Sequence, residues 1–156
     1  MKKIAFIFVL IVAVSQAFSA EILGRVVGVA DGDTITVLDD MDKGRFRIRL
    51  NGIDSPEKKQ AYGNKAKQYL SSLVYGKRVS VRFSAIDRYG RILGRVYMDN
   101  KDISLLMLAA GYAWHYTQYD NSPEYSATGK KARSAGVGLW ADRFPVPPWI
   151  FRRQGK

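Results

Sequence analysis

No cysteine occurs in the 156 residues, and histidine occurs once, at His115. The first absence excludes disulfides, cysteine-based zinc sites and thiol nucleophiles. The second excludes metal sites built on two histidines and mechanisms that pass protons between a histidine pair. Acidic residues are also scarce: 14 stand against 25 lysines and arginines, a formal net charge of +11. Any hydrolytic chemistry is therefore left to carboxylates, arginines and a bound cation. A surface this basic points to a polyanionic partner, and charge alone leaves nucleic acid, acidic polysaccharide and anionic lipid open.

Long hydrophobic runs are lacking too. Ile4 to Val14 is apolar, but a comfortable membrane span needs ~20 residues. Lys2 and Lys3 precede it, and Ser15-Gln16-Ala17 and Ala17-Phe18-Ser19 follow as small-x-small sites. The segment reads as a secretory signal peptide over residues 1–20, cut after Ala17, Ser19 or Ala20. An uncleaved anchor is the alternative, and no basic or stop-transfer flank supports it. Residues 21–156 then form one exported domain, periplasmic or extracellular, with no membrane contact once the leader is gone.

Hydrophobic periodicity places the elements. Ile22–Val29 and Thr34–Leu38 alternate and are rich in Val and Ile, with a tight turn at Asp31-Gly32-Asp33. Arg45–Leu50 is a strand with one cationic face, and Asn51–Pro56 breaks structure. Asn64–Leu73 has helical spacing, with Ala66, Tyr69, Leu70 and Leu73 on one side. Arg78–Phe83 and Arg91–Met98 are strands around the turn Asp87–Gly90. Ile103–Ala110 is a helix closed by Gly111, and Tyr112–Tyr116 is a short aromatic strand. Ser122 and Pro123 start a helix that runs to about Ser134. Gly129 inside it costs roughly 1 kcal/mol against Ala. The tail Phe144–Trp149 is expected to be extended. Five strands, with helices after the third and the fifth, predict an α+β, mostly β fold: a five-stranded OB-type Greek-key barrel with about three helices. Other small α+β folds fit the same pattern.

Three clusters carry the chemistry: Asp31-Gly32-Asp33-Thr34, then Arg49 through Asp54-Ser55-Pro56-Glu57, then Asp87-Arg88-Tyr89-Gly90-Arg91. Carboxylates hold hard divalent cations, arginines clamp phosphates, and cutting a phosphodiester needs both, plus a carboxylate for the water proton. Each cluster alone is weak, since aspartates often do no more than cap turns. In this order and spacing, together with Gly111-Tyr112-Ala113-Trp114, Gly138-Leu139-Trp140 and Pro147-Pro148-Trp149, they resemble the thermonuclease (staphylococcal nuclease) family of calcium-dependent secreted nucleases. The resemblance covers essentially the whole chain after the leader.

That resemblance implies a sugar-nonspecific endonuclease acting on DNA and RNA, single-stranded and duplex, as a monomer, and leaving 3′-phosphate ends. It implies Ca²⁺ held by Asp33, Asp54 and the backbone carbonyl of Ser55, with Asp31 beside the ion but not on it. Arg49 and Arg91 would grip the scissile phosphate. Glu57 would orient or deprotonate the attacking water, and sequence does not decide between the two. Tyr89 matches a residue that contacts a substrate phosphate. Tyr119 falls where another tyrosine lines the nucleotide pocket, with Tyr116 or Thr117 as alternative registers. Arg45, Arg47 and Arg88 are expected to be solvated, Trp114, Trp140 and Trp149 to be core or docking aromatics, and His115 to be structural. Two departures stand out: the segment Glu57–Gly63 is shorter than in the best-known member, and Gly129 replaces a residue that is often acidic. Two other readings keep the charge without catalysis: a nucleic-acid-binding barrel, and a module for acidic glycan or lipid. Neither needs the ordered carboxylates and arginines.

Overall fold

The computed structural model describes residues 20–154, so the leader expected over residues 1–20 lies outside the described residues except for Ala20. The first strand, β1 (Ala20–Asp31), buries Ile22, Gly24 and Val26 and exposes the residues between them. It is long because it serves two neighbours. Its first half pairs with β5 (Arg78–Ile86), from Ala20↔Phe83 to Arg25↔Arg78, and its second half pairs with β2 (Thr34–Asp39). Register shifts at Val26/Gly28 and Val29/Asp31 mark bulges in that second half. Bulges bend a strand and increase its twist, which curls the sheet toward closure.

Closure comes from β3 (Arg45–Leu50) and β6 (Ile92–Met98). The order β3-β2-β1-β5-β6 is antiparallel throughout, and β3 then meets β6 in a parallel seam, Ile48↔Ile92 to Leu50↔Gly94. The result is a closed five-stranded barrel of the expected OB type. Alternation along β3 sends Ile48 and Leu50 inward, while Arg45 and Arg47 stay in solvent as expected. The interior is aliphatic, with Val26, Ile35, Val37, Ile48, Leu50, Val81 and Val96 all buried.

Helices cover the open ends. In α1 (Gly63–Val74), Ala66, Leu70 and Val74 recur every four residues and form the buried stripe. α2 (Ile103–Ala109) is capped by Asp102, which accepts the Ser104 and Leu105 amides. The same carboxylate accepts the hydroxyl of Tyr125 at 2.7 Å from α3 (Pro123–Ser134). Burial and that carboxylate raise the Tyr125 pKa above its ordinary value, so the phenol stays a donor. The cap of α3 is Ser122, as its sequence indicates. Among the described residues no helix is long and apolar enough to cross a membrane.

Three expectations need correction. Within the supposed structure-breaking stretch Asn51–Pro56, Ile53–Asp54 forms a short strand, β4. The aromatic strand is only Trp114–His115, and it pairs with β4. Here β8 is that strand, and β7 is Lys101–Asp102, which turns back on β6 through Asp99 and Asn100, both at positive φ. The tail is not extended throughout. After a 3₁₀ turn at Gly138–Ala141, Pro148–Gln154 is a fourth α-helix, α4. Proline there reads as a breaker, but at the first helical position its missing N–H costs nothing. The Pro147 carbonyl accepts the Ile150 and Phe151 amides.

Asp102 therefore joins two helices through one side chain. Asp102→Ala is expected to lose about 2–3 kcal/mol, from a lost cap and a buried phenol left without its acceptor. Urea unfolding at neutral pH, with Asp102→Asn as a milder comparison, checks this.

Candidate active site

The turn between β1 and β2 carries Asp31 and Asp33, and its middle residue has to be glycine. A Cβ on Gly32 would meet the Ala66 and Ser55 side chains at 2.7 Å, so α1 and Ser55 press directly on the turn. Ser55 locks it from the other side. Its amide donates to Asp33 Oδ2 at 2.8 Å, and its hydroxyl reaches the carbonyls of Gly32 and Tyr112. Asp54, one residue earlier, is fixed by the β4–β8 pairing opposite Trp114.

These contacts bring two carboxylates together almost out of water: Asp33 is 6% exposed and Asp54 1%. Arg49 lies between them. Its Nη2 is 3.0 Å from Asp54 Oδ1 and 3.3 Å from Asp33 Oδ2. Its Nη1 donates to the carbonyls of Leu50 and Ile53, both at 2.8 Å, so the guanidinium is held by its own loop as well. Burial pushes the Asp54 carboxyl above its ordinary value; hydrogen bonds from Arg152 oppose the rise, and the neighbouring Asp33 charge adds to it. Burial and the charge of Asp33 likewise raise Asp31, to about 6, while Asp31 Oδ1 accepts the Asp33 amide.

The hairpin between β5 and β6 presents Arg91 and Tyr89. Asp87 organises it: Oδ1 accepts the amides of Tyr89 and Arg91, and Oδ2 accepts Arg91 Nε at 2.8 Å. Tyr89 is 66% exposed, with the guanidinium of Arg88 4.9 Å and that of Arg91 5.6 Å from its ring centroid. Glu57 begins a compact turn. Gln60 accepts the Glu57 amide through its side chain and donates to the Val146 carbonyl. Gly63 closes the turn so tightly that a Cβ there would overlap the Glu57 carbonyl oxygen.

All nine residues singled out in the sequence line one cleft of about 900 Å³: Asp31, Asp33, Arg49, Asp54, Ser55, Glu57, Tyr89, Arg91 and Tyr119. Tyr116, one of the alternative registers for the pocket tyrosine, lines the cleft together with Tyr119. Tyr116 lies half-buried, and Tyr119, 65% exposed, meets it edge-on at 4.8 Å. His115 sits apart from the cleft, its Nε2 3.2 Å from Asp120. Gly129 packs near Leu108 and His115, also away from the cleft.

Among the other wall residues, two from α4 make specific contacts with the site. Trp149 stacks on Tyr116 with ring centroids 5.2 Å apart, so it lines the cleft as well as docking the helix. Arg152 reaches Asp54 Oδ2 at 2.8 Å and Glu57 Oε1 at 2.7 Å. The signal for them was present: a helix starting at Pro148 puts Trp149 and Arg152 three apart, on one face.

A closed OB-type barrel with a large cleft that gathers buried carboxylates, arginines and tyrosines has the makings of a phosphodiester hydrolase. Residues 47–142 match the family described as "Staphylococcal nuclease homologue". An "Uncharacterized endonuclease" of Escherichia coli is 49% identical over 136 residues, covering 86% of this chain and 88% of that one. One of the same description from Haemophilus influenzae is 46% identical, covering 85% and 74%. "Protein ParB" of Escherichia coli is 39% identical, covering 99% and 91%. The chain belongs to the staphylococcal nuclease homologue family.

The raised Asp31 pKa has a signed consequence for the cation-free protein. Between about pH 4 and 6 the folded state binds more protons than the unfolded chain, so stability falls as pH rises through that window. Asp31→Asn removes this contribution. Thermal unfolding in chelator is expected to show a shallower decline from pH 4 to 6.5 in the variant and a higher midpoint above pH 6.

Proposed function

We propose that this protein is an exported, Ca²⁺-dependent endonuclease that hydrolyses DNA and RNA without strong sequence preference and leaves 3′-phosphate ends. The observation that carries this is the meeting of Asp33, Asp54, Arg49, Arg91 and Glu57 in one cleft walled by tyrosines. Relatives described as endonucleases support the reaction class. Export rests on the leader-like sequence, and the product end on the family resemblance.

The donor set suits a hard dication. Asp33 and Asp54 both lie against one nitrogen of Arg49, so a single point between them already attracts positive charge. Their donors are all oxygen, which favours Ca²⁺ over softer metals. Among the described residues no three His, Cys, Asp or Glu side chains converge into a ready-made metal cluster. The Ser55 carbonyl and water would therefore complete the coordination, an irregular arrangement that Ca²⁺ tolerates better than Mg²⁺. When bound, the ion would supply electrostatic stabilisation of the phosphate's developing charge.

The residues of the chain do the rest. Glu57 orients the attacking water and accepts its proton. As oxygen bonds to phosphorus, negative charge grows on the phosphate oxygens, and Arg49 and Arg91 donate to them. Only a guanidinium offers a permanently charged planar fork for that task. The bond from phosphorus to the 5′ oxygen breaks, that oxygen takes a proton from solvent and leaves as a hydroxyl, and the phosphate stays on the 3′ side. Tyr89 contacts a phosphate, and Tyr119 with Tyr116 offers a face on which any base stacks, worth ~1–3 kcal/mol. Long-range attraction comes from the net positive charge, +11 for the full chain and +9 without Lys2 and Lys3 of the leader (11 − 2), so affinity falls with salt.

Digestion of single-stranded DNA, duplex DNA and RNA by the protein, with Ca²⁺, with Mg²⁺ and with chelator, tests this. Cleavage is expected with Ca²⁺ and not with chelator. Glu57→Gln is expected to lower the rate by about 10²–10⁴, and Arg49→Lys by about 10²–10³. Salt-sensitive binding with no cleavage under any metal would instead make the protein a non-catalytic nucleic-acid-binding barrel.

A further inference from the structure

The C-terminal helix has no part in the reaction as proposed, yet it reaches the centre of the site. Arg152 lies ten residues beyond the stretch that matches the family. Its guanidinium takes both oxygens of Asp54, Nη2 to Oδ2 at 2.8 Å and Nη1 to Oδ1 at 3.2 Å, and Nη1 also reaches Glu57 Oε1 at 2.7 Å. Those are one expected cation ligand and the expected water-activating group. Arg49 holds the same Asp54 oxygen from the other side, at 3.0 Å. One buried carboxylate is thus shared by two guanidinium groups.

The geometry fits a temporary partnership. A planar fork across two oxygens is how arginine binds a phosphate, and a carboxylate offers the same two-oxygen edge. A dication on Asp33 and Asp54 would cancel the charge that holds Arg152 and repel the guanidinium beside it. The side chain is 42% exposed and lies on the wall of the cleft that a nucleic acid would enter. Its helix is tethered so that the arginine can shift without leaving: Val146 is pinned by Gln60, and Trp149 is wedged between Trp114 and Tyr116.

Building on the nuclease reading, we propose that Arg152 is a third phosphate-gripping arginine, held on Asp54 and Glu57 until a divalent cation binds between Asp33 and Asp54. Arg152 is then a competitor of the cation in the free protein and a ligand of the substrate in the loaded one. The two roles have opposite signs in one variant. Removing the guanidinium tightens cation binding and weakens nucleic-acid binding. A merely structural role for α4 would weaken both.

The test compares the wild type, Arg152→Gln and Arg152→Lys. Calorimetric Ca²⁺ titration without substrate reads the first role, and steady-state cleavage of a single-stranded oligonucleotide reads the second. Arg152→Gln is expected to bind Ca²⁺ about tenfold more tightly and to raise KM about tenfold, with kcat changed much less. Arg152→Lys keeps the charge but not the fork, so its Ca²⁺ affinity stays near wild type while KM still rises. Tryptophan fluorescence is expected to shift on Ca²⁺ addition in the wild type, as the Arg152 guanidinium leaves the carboxylates and the charge near Trp149 changes, and to shift less in Arg152→Gln. Unchanged or weakened Ca²⁺ binding in Arg152→Gln, or an unchanged KM, would overturn the proposal while leaving a Ca²⁺-dependent wild-type nuclease intact. A wild type that neither binds Ca²⁺ nor cleaves overturns both readings.

Discussion

Asp33 and Asp54 are carboxylates held almost out of water, and their close approach depends on the guanidinium set between them. Removing two carboxylates from water costs several kcal/mol each unless opposite charge and hydrogen bonds compensate. Arg49 supplies the charge, and the Ser55 amide and the Thr34 hydroxyl supply hydrogen bonds to Asp33. Much of the architecture serves this arrangement. The glycine turn lets Ser55 and Ala66 close over it, and the β4–β8 pairing delivers Asp54. The parallel seam delivers Arg49, whose guanidinium is fixed by two carbonyls of its own loop. A site that concentrates like charge at low dielectric is primed to take a dication, and in its absence it recruits whatever guanidinium is within reach. Arg49 and Arg152 answer the same electrostatic demand.

Most of the barrel was legible because its signals are local. Arg45–Leu50 alternates so cleanly that the strand has the same ends in the structure. Ser122 and Pro123 announce α3, and the apolar spacing of Ala66, Leu70 and Val74 announces α1. The β4–β8 pair was not legible: two residues give no periodicity, and their partner lies some sixty positions away. α4 was not legible because the extended tail expected over Phe144–Trp149 holds three prolines, although the last of them lead directly into the helix. The site residues could be named from spacing and resemblance. Their convergence in one cleft depends on long-range packing that no local pattern encodes. Arg152 fell outside both sources, since no acidic partner stands near it in the chain.

The aromatic residues link the remote parts of the fold to the cleft. Trp140 meets Trp114 edge-on at 4.4 Å, Trp114 meets Trp149 at 5.6 Å, and Trp149 stacks on Tyr116, which touches Tyr119. Five rings thus run from the 3₁₀ turn to the mouth of the cleft. Large rings bury much area with few rotatable bonds, so they fix position at low entropic cost. In a chain without disulfides this is how a short terminal helix acquires a defined seat. Arg133 lies over Trp114 and Trp140 and covers the outer end of the row.

The seam that closes the barrel joins only three residue pairs, Ile48↔Ile92, Arg49↔Leu93 and Leu50↔Gly94, and among the described residues it is the one parallel contact beside antiparallel ladders. Parallel pairing is slightly weaker per residue, and a short ladder opens locally at less cost than the whole fold. Arg49 is the middle residue of that ladder. Amide exchange in this stretch would therefore report on catalytic competence rather than on global unfolding. If Arg49 grips phosphate as proposed, warming would loosen that grip while most of the sheet was still intact. The seam would then act as a thermal fuse, set by three rungs of one ladder.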